Sequence, residues 1–127
     1  MDFKRNVGFK GGFGIWRRDY ALNLIFKERA KGLAVGANNF ELYFETDSID
    51  NLYERLVKDK IKIVHPIMEH PWGQRAFRIY DPENHIIEFA ESMESVVRRL
   101  NKEGLGIEGI HKKSMMPIDF IKMVLKT

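Results

Sequence analysis

Two glutamates, an arginine and a few aromatic and amide side chains carry most of the chemistry this sequence can perform. Side chains alternate along a strand. Residues 74–80 therefore divide into Arg75, Phe77 and Ile79 on one face and Gln74, Ala76, Arg78 and Tyr80 on the other. Residues 85–90 divide in the same way, with Ile87 and Phe89 opposed to Ile86, Glu88 and Ala90. In residues 39–45, Phe40, Leu42 and Phe44 oppose Asn39, Glu41, Tyr43 and Glu45. Each strand has one apolar and one polar face, and if the sheet curls, the polar groups converge in a cup. Two carboxylates facing a cavity suggest a divalent-cation site or a clamp for a basic group. The alternative is a solvated face on which Glu41, Glu88 and Arg78 form cross-strand ion pairs of small energetic consequence.

The histidines add less. His65 precedes Pro66 and His70 precedes Pro71, places where a lone histidine usually serves as a hydrogen-bonded structural residue. His70 and Trp72 could rim the cup, where an aromatic ring can stack on a flat ligand. His85 points away from Glu88, and Trp16 reads as a core residue. Cysteine is absent, so disulfides, thiolate metal sites and cysteine nucleophiles are excluded together.

The elements that must position these groups are legible from pattern. Residues 40–44 read as a strand, and Thr46, Asp47 and Ser48 offer N-cap oxygens to a following helix. Ile49, Leu52, Tyr53, Leu56 and Val57 then form one apolar helical stripe. Residues 60–68 return to a β-branched strand. Residues 74–80 and 85–90 form a hairpin across Asp81, Pro82, Glu83 and Asn84, residue types suited to a turn. The order over 39–91 is strand, helix, three strands: a βαβββ module. Upstream, 6–9 and 13–16 read as a small antiparallel ribbon turned by Gly11 and Gly12. Residues 20–26 are ambiguous between strand and helix, and 31–39 are the best linker candidate. Downstream, Ser92 can cap a helix bearing Met93, Val96, Val97 and Leu100 and stopped by Gly104. A short helix at 107–113 follows, and Pro117 opens a last one carrying Ile118, Ile121, Val124 and Leu125. This divides the chain into 1–38, 39–91 and a helical extension over 92–127.

The 127 residues, 44% hydrophobic and 31% charged, suit a globular fold. No apolar run approaches the roughly 20 residues of a membrane span, and no secretion signal is visible, so a cytoplasmic protein is expected. From residue 92 onward seven basic residues face four acidic ones, which equals the whole net charge of +3. The helix rhythm there evokes a helix-turn-helix, yet base-reading Asn or Gln side chains are lacking on the last helix. The tail therefore reads as a lid or dimer contact rather than a nucleic-acid reader.

The segment Asp81-Pro82-Glu83-Asn84-His85-Ile86-Ile87-Glu88 resembles the hairpin that closes modules of the vicinal oxygen chelate superfamily, the group of glyoxalases, bleomycin-resistance proteins and extradiol dioxygenases. Trp72-Gly73-Gln74-Arg75 before it, and Glu41-Leu42-Tyr43-Phe44-Glu45 leading into the helix, resemble the same module. The resemblance implies an α+β fold of paired βαβββ modules forming a cupped mixed sheet. The start at Met1-Asp2-Phe3 resembles the second strand of the first module, so that module is expected to be incomplete. In metal-using members the closing glutamate is a ligand, and Glu88 matches it. Glu41 stands where another ligand begins the module, with Asn39 as the alternative. The resemblance implies Glu41 and Glu88 as ligands for a divalent ion (Mn, Ni, Zn or Fe), with Glu88 as the catalytic candidate. Arg78 is then an anion-binding neighbour, and Tyr43, Gln74, Tyr80 and Trp72 line the ligand. The expected function is binding of a small polar or aromatic molecule, with metal-dependent lyase, isomerase or dioxygenase chemistry. The alternative is sequestration without turnover, and a regulator acting through the tail is the third reading. An open sheet edge and the apolar surface near Phe9, Phe13 and Ile15 imply a homodimer.

Overall fold

In the computed structural model, residues 6–9, 13–30 and 36–126 are described. They fall into two compact units, Met1–Ala34 and Val35–Thr127. In the first, β1 (Asn6–Phe9) pairs antiparallel with β2 (Phe13–Trp16), with Asn6 opposite Trp16 and Phe9 opposite Phe13. The turn expected at Gly11 and Gly12 lies outside the described residues. The ambiguous segment is helical: α1 (Arg18–Ala21) continues as a wider turn over Leu22–Phe26 and a tighter one over Lys27–Ala30. Trp16, expected in a core, is instead 41% exposed and stacks on Tyr20 with ring centroids 5.7 Å apart. That ring lies one turn away on the following helix.

The second unit is a mixed α+β arrangement. Strands β3 (Glu41–Thr46), β4 (Ile63–Glu69), β5 (Arg75–Tyr80) and β6 (Ile86–Glu91) form one sheet in the order β3-β6-β5-β4. β3 runs parallel to β6 and the other pairs are antiparallel. The crossover between β3 and β4 is helix α2 (Ile49–Lys58), so the order strand, helix, three strands is realised. Ile49, Leu52, Tyr53 and Leu56 of its stripe pack on Phe77, Ile79, Ile87 and Phe89 of the sheet. Val57, at the margin of the stripe, is 47% exposed. The β5–β6 turn works as its residue types suggest. Asp81 Oδ1 accepts the backbone N–H groups of Glu83 and His85, both at 2.8 Å, while Asn84 takes the positive φ of 63°.

Edge strand β4 carries Pro66, which cannot donate to a ladder and is tolerated at an irregular edge. Its register against β5 shifts between Ile63 and His65 and again between His65 and Met68. The cap at α2 departs from expectation. Ser48 makes no side-chain cap bond, and Asp47 instead accepts the hydroxyls of Ser92 (2.6 Å) and Ser95 (2.7 Å). Asp47 thereby ties the end of β3 to the segment that follows β6.

Helices α3 (Met93–Lys102), α4 (Ile107–Ser114) and α5 (Ile118–Leu125) belong to this same unit. Ser92 caps α3 by accepting the Ser95 N–H. The three helices close on Val96, Val97, Leu100, Ile110 and Ile121, none of which reaches solvent. None of the described helices is long and apolar enough to cross a membrane.

Candidate functional site

The sheet register aligns one side chain from each of the four strands on the face away from α2. Tyr43 on β3 is opposite Glu88 on β6, Glu88 is opposite Arg78 on β5, and Arg78 is opposite His65 on β4. The Arg78 guanidinium is the centre of this row. Its Nε donates to Glu41 Oε2 at 2.7 Å and its Nη2 to Glu88 Oε2 at 2.5 Å. Its Nη1 donates to His65 Nε2 at 3.1 Å. The Nδ1 of His65 lies 2.7 Å from the Pro66 carbonyl. Since a carbonyl only accepts, Nδ1 carries the proton and Nε2 offers its lone pair to the arginine. The neutral Nδ1–H tautomer follows from those two partners.

Electrostatics separate the two carboxylates. Glu88 is buried, and desolvation, reinforced by Glu41 beside it, pushes its carboxyl above the usual range. Glu41 is held below that range, chiefly by its hydrogen bond from Arg78. Two acids sharing one cation are thus driven apart in proton affinity, Glu88 by burial and Glu41 by its hydrogen bond from Arg78.

A second polar chain runs beside the row. Trp72 Nε1 donates to Gln74 Oε1 at 3.0 Å, and Gln74 Nε2 donates to Tyr43 Oη at 3.0 Å and to the Glu91 carbonyl at 2.7 Å. Tyr43 Oη in turn donates to Glu45 Oε1 at 3.1 Å. His70 stacks on Trp72 with centroids 4.4 Å apart and planes 9° from parallel. The indole is fixed by a hydrogen bond in its plane and by an imidazole on one face, so it enters any encounter pre-oriented. Burial depresses His70 below its ordinary proton affinity, which favours the neutral ring of such a stack.

This loop is pressed against the C-terminal helices. Gly73 has φ of 84°. A Cβ on it would sit 3.2 Å from Lys113 Cε and 3.3 Å from Leu100 Cδ1. Arg99 of α3 donates to the Gly73 carbonyl. It also holds Glu91, with Nη2 to Oε2 at 2.8 Å and Nε to Oε1 at 3.1 Å. Arg75 binds Glu91 Oε1 through its own Nε at 2.9 Å and Asp50 through both terminal nitrogens. Arg75 thus lies on the α2 side of β5, opposite to Arg78.

Of the residues expected at the site, Glu41, Glu88, Arg78, Tyr43, Gln74 and Trp72 are brought together. Tyr80 shares their face but lies further along β5, bonded to Asn38 at 3.2 Å with Lys62 over its ring. Asn39 is exposed ahead of β3, leaving Glu41 as the donor that starts the strand. Arg78, expected to meet an anion, has each of its three nitrogens engaged by protein. His65 joins the cluster without any alternation signal, because the irregular β4 register decides which way it faces. Elsewhere, Asp47, Ser92, Glu94 and Arg98 line a shallow groove of about 310 Å³, whose Ser92 hydroxyl already donates to the Asp47 carboxylate.

The donor set does not suit a divalent ion as it stands. A guanidinium sits where Glu41 and Glu88 converge, and among the described residues no group of three or more His, Asp or Glu is disposed to hold a metal.

A family described as a glyoxalase-like domain matches residues 1–94. Among solved structures, a protein of unknown function from Agrobacterium tumefaciens str. C58 is 34% identical, with 72% of this chain and 71% of that one covered and a TM-score of 0.56. TioX from Micromonospora sp. ML1 is 27% identical over 46% of this chain and 48% of its own, at a TM-score of 0.40. A member of the glyoxalase/bleomycin resistance protein/dioxygenase superfamily from Sphaerobacter thermophilus DSM 20745 is 29% identical over 40% and 41%, at 0.39. The chain spans less than half the length of these last two. No curated protein matches it.

Proposed function

This chain belongs to the glyoxalase-like domain family, and from that premise we propose that it binds a flat small molecule on the polar face of its sheet. The observation that supports this reading is the Trp72 ring, locked by Gln74 and His70 in the polar chain beside the Tyr43–Glu88–Arg78–His65 row. An oriented aromatic face beside hydrogen-bonding groups suits a planar ligand. Glu41, Glu45 and Glu88 outnumber the single arginine there, so neutral or cationic rings are favoured over anions. Binding without turnover is favoured over metal-dependent lyase or dioxygenase chemistry, because Arg78 already engages both carboxylates expected to hold the ion.

The test uses a Trp16→Phe background, which leaves Trp72 as the one tryptophan. Tryptamine and benzamidine, with benzoate as the anionic control, are titrated by fluorescence and by calorimetry. Benzamidine is expected to quench Trp72, and tryptamine, whose own indole emits in the same range, is read by calorimetry alone. Trp72→Leu is expected to weaken calorimetric binding about fivefold, the equivalent of a stacking contact of about 1 kcal/mol. Unchanged affinity in that variant would exclude this face, and recovery of a transformed ligand would exclude simple sequestration.

Association into a homodimer is part of the same proposal. β3 is a sheet edge, and Phe40 just before it and Phe44 along it are 53% and 39% exposed. Edges and apolar surface of this kind promote pairing, and a standard interface would cover about 800 Å² per partner. Light scattering at micromolar concentration is expected to return twice the mass of the chain. A single-chain mass would remove the dimer from this reading.

A further inference from the structure

Arg78 is surrounded by the donor types that hold divalent ions. Glu41 from β3 and Glu88 from β6 supply carboxylate oxygens, and His65 from β4 supplies an imidazole nitrogen. All three address one guanidinium, from distances between 2.5 and 3.1 Å. His65 is set up as a ligating histidine is. Its Nδ1–H is given to a backbone carbonyl and its Nε2 lone pair is aimed at the cation, the arrangement that fixes tautomer and orientation at metal sites. The cation these donors meet is one that keeps its charge at every accessible pH.

We propose that Arg78 is a built-in cation standing in the place of a divalent ion, and that Glu41, Glu88 and His65 form a latent metal site exposed when the guanidinium is removed. Size and charge explain why the two occupants exclude each other. A planar fork spreads its partners around three nitrogens, whereas zinc draws nitrogen and oxygen donors to about 2.0–2.2 Å from one point. A dication entering beside the guanidinium would also meet a like charge while its would-be ligands were already hydrogen-bonded. The proposal goes beyond the ligand-binding reading, since it concerns what charges this face and stands whether or not a flat molecule binds there.

The experiment titrates Co(II) and Zn(II) into chelator-treated wild type and Arg78→Ala, read by calorimetry, by the visible absorption of bound Co(II) and by melting temperature. Wild type is expected to bind no equivalent of metal at this cluster and to melt at the same temperature with or without it. Arg78→Ala is expected to take up one equivalent at micromolar or tighter affinity and to melt several degrees higher with metal. Adding Glu88→Gln or His65→Ala to it should weaken that binding at least tenfold. Stoichiometric binding by wild type that is lost in Glu88→Gln would overturn the proposal. So would an Arg78→Ala protein that binds no metal, or one whose binding ignores both second substitutions. If Arg78→Ala does not fold by itself, recovery of a cooperative melt with Zn(II) but not Mg(II) supports the proposal, and failure to recover overturns it. Loss of tryptamine binding in a metal-free wild type would count against the ligand reading alone.

Discussion

Replacing Glu91 with alanine is expected to lower the free energy of unfolding by about 3 kcal/mol, near the low end of the range for breaking a buried ion pair. Glu91 is 4% exposed and stands between two guanidiniums, Arg75 and Arg99, with the Arg75 backbone N–H as a further donor at 3.1 Å. Without it, both arginines keep their charge and lose their central partner. Their side chains are 26% and 19% exposed, so water offsets part of the loss, which places the figure at the low end. Asp50 is the internal control. It also pairs with Arg75, but its side chain is 62% exposed, and Asp50→Ala should cost under about 1 kcal/mol.

The pH dependence has a definite sign. Burial alone would raise the Glu91 carboxyl. The bonds from Arg99 and from the Arg75 backbone and side chain outweigh burial and hold it below the ordinary value of 4.5. A group depressed on folding stabilises above its unfolded value and stops doing so as pH falls through its folded one. The difference between wild type and Glu91→Ala should be flat near neutrality and shrink below about pH 4.5. Urea titrations across that range decide it, and a neutral-pH loss under about 1 kcal/mol would refute the central role given to Glu91.

Leu100→Ala is the second large effect, expected at about 3 kcal/mol within the range for buried leucine truncations. Leu100 is wholly buried among Val96, Val97, Ile110 and Ile121. It also faces Gly73 in the loop that carries Trp72. The preceding residue, Arg99, bonds both Glu91 and the Gly73 carbonyl. The C-terminal helices therefore share a boundary with the Trp72 loop and with Glu91 of the sheet. One cooperative urea transition is expected, shifted to lower concentration, with Trp72 fluorescence and helical circular dichroism changing together. Two separated transitions would mean that the helices unfold as an independent piece.

Short-range pattern was enough for most of the second unit. The alternation in 74–80 and 85–90, the turn chemistry of Asp81 and Asn84, the stripe on α2 and the cap at Ser92 depend on neighbours a few residues apart. The same alternation placed Arg75 and Arg78 on opposite faces of β5 and put Glu41, Glu88, Tyr43 and Gln74 on one face. These are consequences of a period of two on a pleated strand and of 3.6 on a helix, which the chain carries locally.

What only the tertiary structure decided concerns partners far apart in sequence. Residue type and face left Glu41 and Glu88 open between a metal and cross-strand ion pairs with Arg78, and read His65 as merely structural. The register across four strands places Arg78 between the two carboxylates, in the ion-pair arrangement, and adds His65 to it. Bulged edge strands break the alternation that would have revealed His65. Asp47 looked like a local cap for α2, yet it accepts from hydroxyls 45 and 48 residues away. Glu91 and Arg99 carried no signal at all, since the value of a charge pair depends on burial, and burial is set by which elements pack together. Local periodicity determined where the strands and helices lie and which way most side chains point. Strand order, register and helix docking determined which charges meet, and with them the chemistry available on this face.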